Sequence, residues 1–500
     1  MIKQIKNNFL IKNTIILISA NILIKILSLV NRIIITRSLG TNGISLYVMI
    51  LPTIMLLLTI SGFSLNISVS RIIATNQKTN KYPLITIIKK ACLIGIYSTL
   101  ISLIIFSLTL KFISVNLLKQ ENAFIPLLLS MTIIPFANLN SIFRGVFNGL
   151  DNVKTSSLST LLEQIARIGF SVVLFVIFYD KDLVFTVTIT IIAMTLGEIA
   201  SVIYNLISIR KLLKNTPFIN LTKEEKINTK ELNKEIINLS LSQTLTHLAT
   251  NIALFLEPIC YNYALTLNNF TNDEIMYRYS EVNAYALPLL TMFTFISFSI
   301  GTVILPQISK NKYSEKAKSL TALAIKLSFI PSIILSILLY FYSDKYMYFL
   351  YNKTTGSTFV KYSSFIYMFF YLIPIINSIL ISHNKEKSVL KISIGTNIIK
   401  IALIIALSFI KSITYKSLIY AIIISNIIYL IITFIYLYNI LKFKIKLKDL
   451  ITLSLIFIST YYVVYLFKYY NVNFIISSIL SSIIYLIIIK LSNIASFNNK

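Results

Sequence analysis

A chain of 500 residues that is 56% hydrophobic and 13% charged, with a mean hydropathy of +0.79, carries more apolar surface than a water-soluble core can hide. Its formal charge of +28 does not mark a nucleic-acid binder, because Lys and Arg are scattered in short segments between apolar runs, as topology signals are. Composition therefore excludes a soluble enzyme and a nucleic-acid partner, and defines an all-α polytopic membrane protein.

About fourteen transmembrane helices are expected, over 13–36, 46–68, 91–111, 123–142, 157–179, 183–207, 237–260, 283–305, 319–342, 360–381, 389–410, 415–439, 449–467 and 473–490. Lys3, Lys6 and Lys12 precede the first apolar run, which continues past Lys25 to about residue 36 without a small-residue cleavage site. It is therefore expected to stay attached as a helix and not to be removed as a secretory signal. In that helix Asn21, Lys25, Ser28 and Arg32 share one face, at depths where a lone charge costs roughly 2.5–3.5 kcal/mol. Such a stripe is expected to line a wet cavity; the plainer alternative is that Lys25 snorkels and Arg32 anchors the helix end. Arg71 and Arg144 lie near the ends of the second and fourth spans, where gating and interfacial anchoring are both open.

In the fifth span Glu163 and Arg167 form an i,i+4 pair with the acid first, the favourable order, and Ser156, Thr160 and Ser171 extend that face. The pair serves cargo or gating, or simply holds a polar helix against its neighbours. Glu198 in the sixth span, on a face with Thr188 and Thr195, has no local partner and is expected to exchange a proton or to pair with a base such as Lys25. The longest polar stretch, about 209 to 235, is too short for a soluble catalytic domain and reads as a solvated linker. The seventh span sets Ser240, Thr244, His247 and Asn251 on one face with Gln243, Thr250 and Glu257 beside it, and is expected to face the first helix across the cavity. His247 is open to a role as a pH switch, although a lone membrane histidine is more often a helix contact. Pro258, Pro52 and Pro288 are expected to bend or end their helices. Arg278 precedes the eighth span, and Lys400 in the eleventh, above Ser393, Thr396 and Asn397, is a second candidate cation.

With the N-terminus inside, the inner segments hold about 30 Lys and Arg against about 11 in the outer loops, so both termini are expected in the cytoplasm. The sequence also repeats itself. Leu51-Pro52 and Ile60-Ser61 recur as Leu287-Pro288 and Ile296-Ser297; Ile134-Pro135-x-x-Asn138 recurs as Ile373-Pro374-x-x-Asn377; Arg167 is matched by Lys400. An even number of spans separates the copies, so two parallel six-helix repeats are expected, with two further C-terminal helices. Cys92 and Cys260 sit far apart, so no disulfide is expected, and no P-loop motif occurs.

Lys25-Ile-Leu-Ser-Leu-Val-Asn-Arg32 running into Arg37-Ser-Leu-Gly40 resembles the first helix of the multidrug/oligosaccharidyl-lipid/polysaccharide exporter superfamily. So do Arg144-Gly145 to Asn152-Val153 with Leu162-Glu163-Gln164 to Arg167, and Tyr285-Ala-Leu-Pro288 ending at Leu305-Pro306-Gln-Ile-Ser309. The pattern is most similar to the polysaccharide-biosynthesis and stage V sporulation protein B branch, itself similar to MurJ-type lipid II flippases. The resemblance implies two six-helix lobes around a cavity and movement of an undecaprenyl-pyrophosphate-linked sugar from the inner to the outer leaflet. The corresponding organisation is an N-terminal lobe 1–208, a cytoplasmic linker 209–236, a C-terminal lobe 237–440 and an added pair 441–500.

Arg suits a diphosphate by its planar fork and Lys as a point charge. Asn21, Lys25, Ser28, Arg32, Arg167, His247, Asn251 and Lys400 are therefore the expected substrate-binding residues. Arg71, Arg144, Glu163, Glu198, Glu257 and Arg278 are those expected to gate or couple an ion. The expectation is a flippase of the cell membrane, not an enzyme. It needs no cofactor or metal, leaves ion- or proton-gradient coupling open, and has membrane lipids and cell-wall synthesis proteins as partners. A cation-coupled multidrug or small-molecule exporter of the same superfamily is the alternative. A membrane glycosyltransferase would want a large outer loop with paired carboxylates, where only Asp273, Glu274 and Glu281 cluster.

Overall fold

The computed structural model describes residues 9–79, 81–178, 182–215, 229–310, 313–442 and 447–492, which are helical and contain no strand. Residues 216–228 of the expected linker and both chain ends lie outside the described residues. The helices form two compact units that divide between Tyr277 and Arg278.

The first unit contains α1 (Phe9–Gly62), α2 (Leu65–Thr79), α3 (Leu84–Lys111), α4 (Phe124–Ser130), α5 (Ile133–Gly149), α6 (Val153–Ile177), α7 (Leu183–Asn215) and α8 (Thr229–Thr266). The first two expected spans share α1, whose path breaks at Gly40 with φ 64° and ψ −168°. No atom lies within 4 Å of a methyl placed there, so an added side chain would be opposed by backbone conformation alone. Gly40→Ala is expected to lower stability by about 1–2 kcal/mol. Thermal unfolding in detergent measures this, and an unchanged midpoint would remove this account of the break.

The core of this unit joins Leu65 and Val69 of α2, Ile87 of α3, Phe147 of α5 and Ile236 of α8. α8, which carries the seventh span that follows the expected linker 209–236, packs within the first unit. Its polar face is the reason. Ser240 Oγ lies 2.6 Å from Ser68 Oγ, the Thr244 hydroxyl donates to Ser64 Oγ at 3.2 Å, and Asn251 Nδ2 donates to Thr59 Oγ1 at 2.5 Å. In a bilayer a polar helix face is satisfied by other helices, and here α1 and α2 supply the partners. Pro258 does not end α8, which continues to Thr266. Near its start, Glu231 accepts from Lys81 at 2.6 Å, a bond that pushes the Lys81 ammonium pKa up; being half-exposed, the pair contributes little stability.

The second unit follows α9 (Asn272–Ser280) through a π-helical turn, Glu281–Ala286, into α10 (Leu287–Leu290), α11 (Thr294–Lys310), α12 (Glu315–Tyr351), α13 (Ser357–Phe370), α14 (Ile373–Ser382), α15 (Glu386–Ser408), α16 (Ser417–Leu441), α17 (Leu447–Tyr469) and α18 (Phe474–Ser492). The last two helices pack on α12: Lys326 Nζ lies 3.1 Å from Asp449 Oδ2, Tyr342 and Ser477 share a hydrogen bond of 2.8 Å, and the Tyr485 hydroxyl donates to the Ile330 carbonyl. Their other faces expose Leu455, Ile458, Ile479 and Leu486, as lipid-facing helices do.

Among the described residues ten helices are long and apolar enough to cross a membrane, or twelve if two bent pairs each count as one span. The expected fourteen differ because α1 and α2 form one continuous run, Ser19–Gln77, and because the polar α8 is absent from the set. Both copies of the Ile-Pro-x-x-Asn motif open a helix after a short break. α4 and α5 meet at 41° around Met131 and Thr132, and Tyr371 and Leu372 separate α13 from α14. Asn138 then donates to the Ser61 carbonyl at 2.8 Å and to Thr99 Oγ1 at 2.5 Å, while Asn377 accepts from the Tyr429 hydroxyl at 2.8 Å.

Candidate functional site

Three helices of the first unit bring four charged side chains together. Glu163 of α6 is buried, and its two oxygens are divided between two arginines: Oε2 accepts from Arg144 Nη2 of α5 at 2.7 Å and Oε1 from Arg167 Nη2 at 2.5 Å. Arg167 also reaches the carboxylate of Glu198 on α7 at 3.6 Å. Neutral groups complete the shell. Arg144 donates to Ser159 at 3.2 Å and Ser201 at 3.0 Å, Asn140 donates to Glu198 Oε2 at 2.7 Å, and Asn205 donates to the Asn140 amide oxygen at 2.7 Å. Gln164 donates to Glu163 at 3.2 Å.

Depth gives this network its cost and its meaning. Glu163 lies about 15 Å along α6 from its start, and Glu198 about 22 Å along α7, each within a helix long and apolar enough to cross a membrane. Charges there persist only when paired and hydrogen-bonded. Two arginines against two glutamates balance, and the surrounding Asn and Ser groups fill remaining donor and acceptor positions. Gly197 permits the close packing that holds α7 against α6: a methyl on it would stand 3.0 Å from the Glu163 carbonyl oxygen and 3.0 Å from Arg167 Cβ.

The expected Glu163–Arg167 pair is therefore present, and it extends further than its own helix. Glu198, expected to have a partner such as Lys25, meets Arg167 and Asn140 instead, because α7 packs on α5 and α6 and turns that face toward them. Arg144 joins the same network. Sequence reasoning missed Asn140, Ser159, Ser201 and Asn205, although the spacing of Asn140 with Arg144, of Ser159 with Glu163, and of Glu198 with Ser201 and Asn205 sets each on a charged residue's face.

On α1, Arg32 is half-buried, whereas Lys25 is exposed, Asn21 is half-buried, and the Ser28 hydroxyl returns to the Ile24 carbonyl at 2.7 Å. Buried Tyr47, also on α1, lies within electrostatic reach of both Arg32 and Arg167. Of the α8 candidates, Asn251 is engaged by Thr59, His247 is exposed and Glu257 is buried. Arg71 is exposed midway along α2. In the second unit Lys400 is buried on α15, and Arg278 pairs with Glu281 at 2.9 Å and stands 4.5 Å over the Tyr415 ring. No group of three or more His, Cys, Asp or Glu among the described residues is arranged to hold a metal ion.

Residues 10–312, which include α1 to α8 and the whole of this network, match the family described as polysaccharide biosynthesis protein. The chain belongs to this family. Over 418 residues this family member is 26% identical to stage V sporulation protein B of Bacillus subtilis (strain 168), a match that spans 81% of this chain and 78% of that one. Its fold is similar to lipid II flippase MurJ in an inward closed conformation, with a TM-score of 0.66 at 16% identity over 96% of this chain and 99% of that one. It is similar also to an inward-facing multidrug resistance MATE family transporter of the MOP superfamily, with a TM-score of 0.63 at 14% identity over 85% and 97%. The chain is thus a multi-pass helical membrane protein of the polysaccharide biosynthesis family whose fold is similar to those of MurJ and of MATE transporters.

Proposed function

We propose that this protein is a flippase for an undecaprenyl-pyrophosphate-linked sugar, a lipid-linked oligosaccharide or peptidoglycan precursor, and that it works by alternating access in the cytoplasmic membrane with both termini inside. One observation carries the reading: the apolar helices of the first unit gather Arg144, Arg167, Glu163 and Glu198 into one hydrogen-bonded network, and α1 of the same unit carries a further half-buried guanidinium, Arg32. A diphosphate matches the planar guanidinium fork. The kinship with stage V sporulation protein B and the fold likeness to lipid II flippase MurJ support a lipid-linked cargo. No bond is made or broken in such a step, so the protein is assigned no enzymatic activity and no cofactor.

The measurement that tests this is outer-leaflet exposure of a fluorescent lipid II analogue in proteoliposomes. Protein-dependent exposure of the lipid, with no movement of a lipophilic cationic dye, is the expected result. Dye transport without lipid movement would instead assign the cation-coupled exporter reading, which the likeness to a multidrug transporter keeps in view.

A further inference from the structure

At the end of the second unit where α12 and α17 finish and α13 and α18 begin, aromatic rings of three helices meet. Ring centroids lie 4.7 Å apart for Tyr340 and Phe365, 4.9 Å for Phe341 and Tyr461, and 6.4 Å for Tyr340 and Tyr461. Three ammonium groups stand at ring-contact distances here. Lys361 Nζ is 5.9 Å from the Tyr340 centroid and 5.7 Å from that of Tyr362, Lys468 Nζ is 5.5 Å from Phe341, and Lys345 Nζ is 5.8 Å from Tyr342. Lys468 also donates to the Phe341 carbonyl at 3.1 Å, which fixes the end of α17 against α12.

These lysines are close enough to influence one another: Lys345, Lys361 and Asp344 all act electrostatically on Lys468. Yet none of the three has a carboxylate within 4.0 Å among the described residues, unlike Lys318 and Lys326 of the same unit. Three cations gathered around one carboxylate repel each other, and ring faces offset only part of that cost. A shared anion would offset the rest.

The level along the helices indicates which anion. Tyr462, Tyr465 and Tyr469 stack along the end of α17 with centroids 6.5 and 6.4 Å apart and are exposed, as tyrosines of an interfacial belt are. Toward the helix middles, Leu455, Ile458 and Ile479 are exposed on the same two helices and suit acyl chains. Lipid phosphate is the anion found at the level of such a tyrosine belt, with the aliphatic side chains beyond it facing acyl chains.

We propose that Lys345, Lys361 and Lys468, held over this aromatic cluster, bind the phosphate of an anionic glycerophospholipid such as phosphatidylglycerol. The site lies on α12, α13 and α17 and is independent of the cargo proposed above, so its failure leaves that reading untouched.

The test compares the full chain in phosphatidylcholine nanodiscs with and without phosphatidylglycerol, counting retained lipid by native mass spectrometry after delipidation. Wild-type protein is expected to retain phosphatidylglycerol selectively, and K345Q/K361Q/K468Q to lose that selectivity by about fivefold per lysine removed. The charge-retaining K345R/K361R/K468R variant is expected to keep it and guards against a folding defect. Inorganic phosphate added to phosphatidylcholine nanodiscs is expected to leave the thermal midpoint unchanged. Equal retention in the wild-type and glutamine variants would overturn the proposal, as would stabilisation by inorganic phosphate equal to that by phosphatidylglycerol, which would assign the site to a free ion.

Discussion

Glu163→Ala is expected to destabilise the protein by about 3–5 kcal/mol, the range for removing one member of a buried ion pair. The effect is large because one carboxylate serves two guanidinium groups, Arg144 at 2.7 Å and Arg167 at 2.5 Å, and both helices that carry them continue through hydrocarbon depth. After the substitution Arg167 retains Glu198 at 3.6 Å, but Arg144 keeps only the hydroxyls of Ser159 and Ser201 among these contacts. Arg144 should therefore account for most of the loss. The Glu163→Ala/Arg144→Ala pair is expected to lose clearly less than the sum of the two single variants, since neighbours in one network are not additive. The chain has no Trp, but Cys92 and Cys260 are free, half-buried thiols on α3 and α8, so a thiol-reactive dye reports unfolding. Wild-type midpoints for Glu163→Ala, or strictly additive losses, would mean that the network does not hold α5, α6 and α7 together.

How much of this was legible in the residues follows from the range of each interaction. Glu163 and Arg167 are four apart on one helix, so their pairing needs only helical geometry, and the sequence contained it. Glu198 with Arg167, and Arg144 with Glu163, are contacts between helices. They depend on how α5, α6 and α7 rotate about their axes, which spacing within a single span does not specify. The same distinction explains α8. Its stripe of Ser240, Thr244 and Asn251 was visible, but not that Ser68, Ser64 and Thr59 would satisfy it within the first unit. Helix breaks divide similarly. The two Ile-Pro-x-x-Asn copies announce theirs through a residue with no amide hydrogen, whereas Gly40 breaks α1 with nothing nearby except its own freedom at φ 64°.

Arg32→Glu is expected to reduce transport of a pyrophosphate-linked lipid by at least a hundredfold while leaving expression near normal. Arg32 is half-buried on α1 and acts electrostatically on the buried Tyr47, as Arg167 does, so its charge is felt inside the first unit. Replacing it with a carboxylate converts attraction for an approaching phosphate into repulsion. At a separation of about 6 Å and an effective dielectric of about 20, each unit-charge pair is worth about 3 kcal/mol, so the reversal amounts to roughly twice that. A barrier raised by even half of this lowers the rate by more than a hundredfold. Arg32→Lys keeps the charge but not the planar fork and is expected to fall between the two. Lys25→Glu, on a more exposed side chain seven residues earlier, should cost far less, because charge interactions weaken with exposure. The ordering of these three variants in the fluorescent-lipid assay separates a specific cation from general positive potential along α1. Full-rate lipid movement by Arg32→Glu would remove Arg32 from the cargo path.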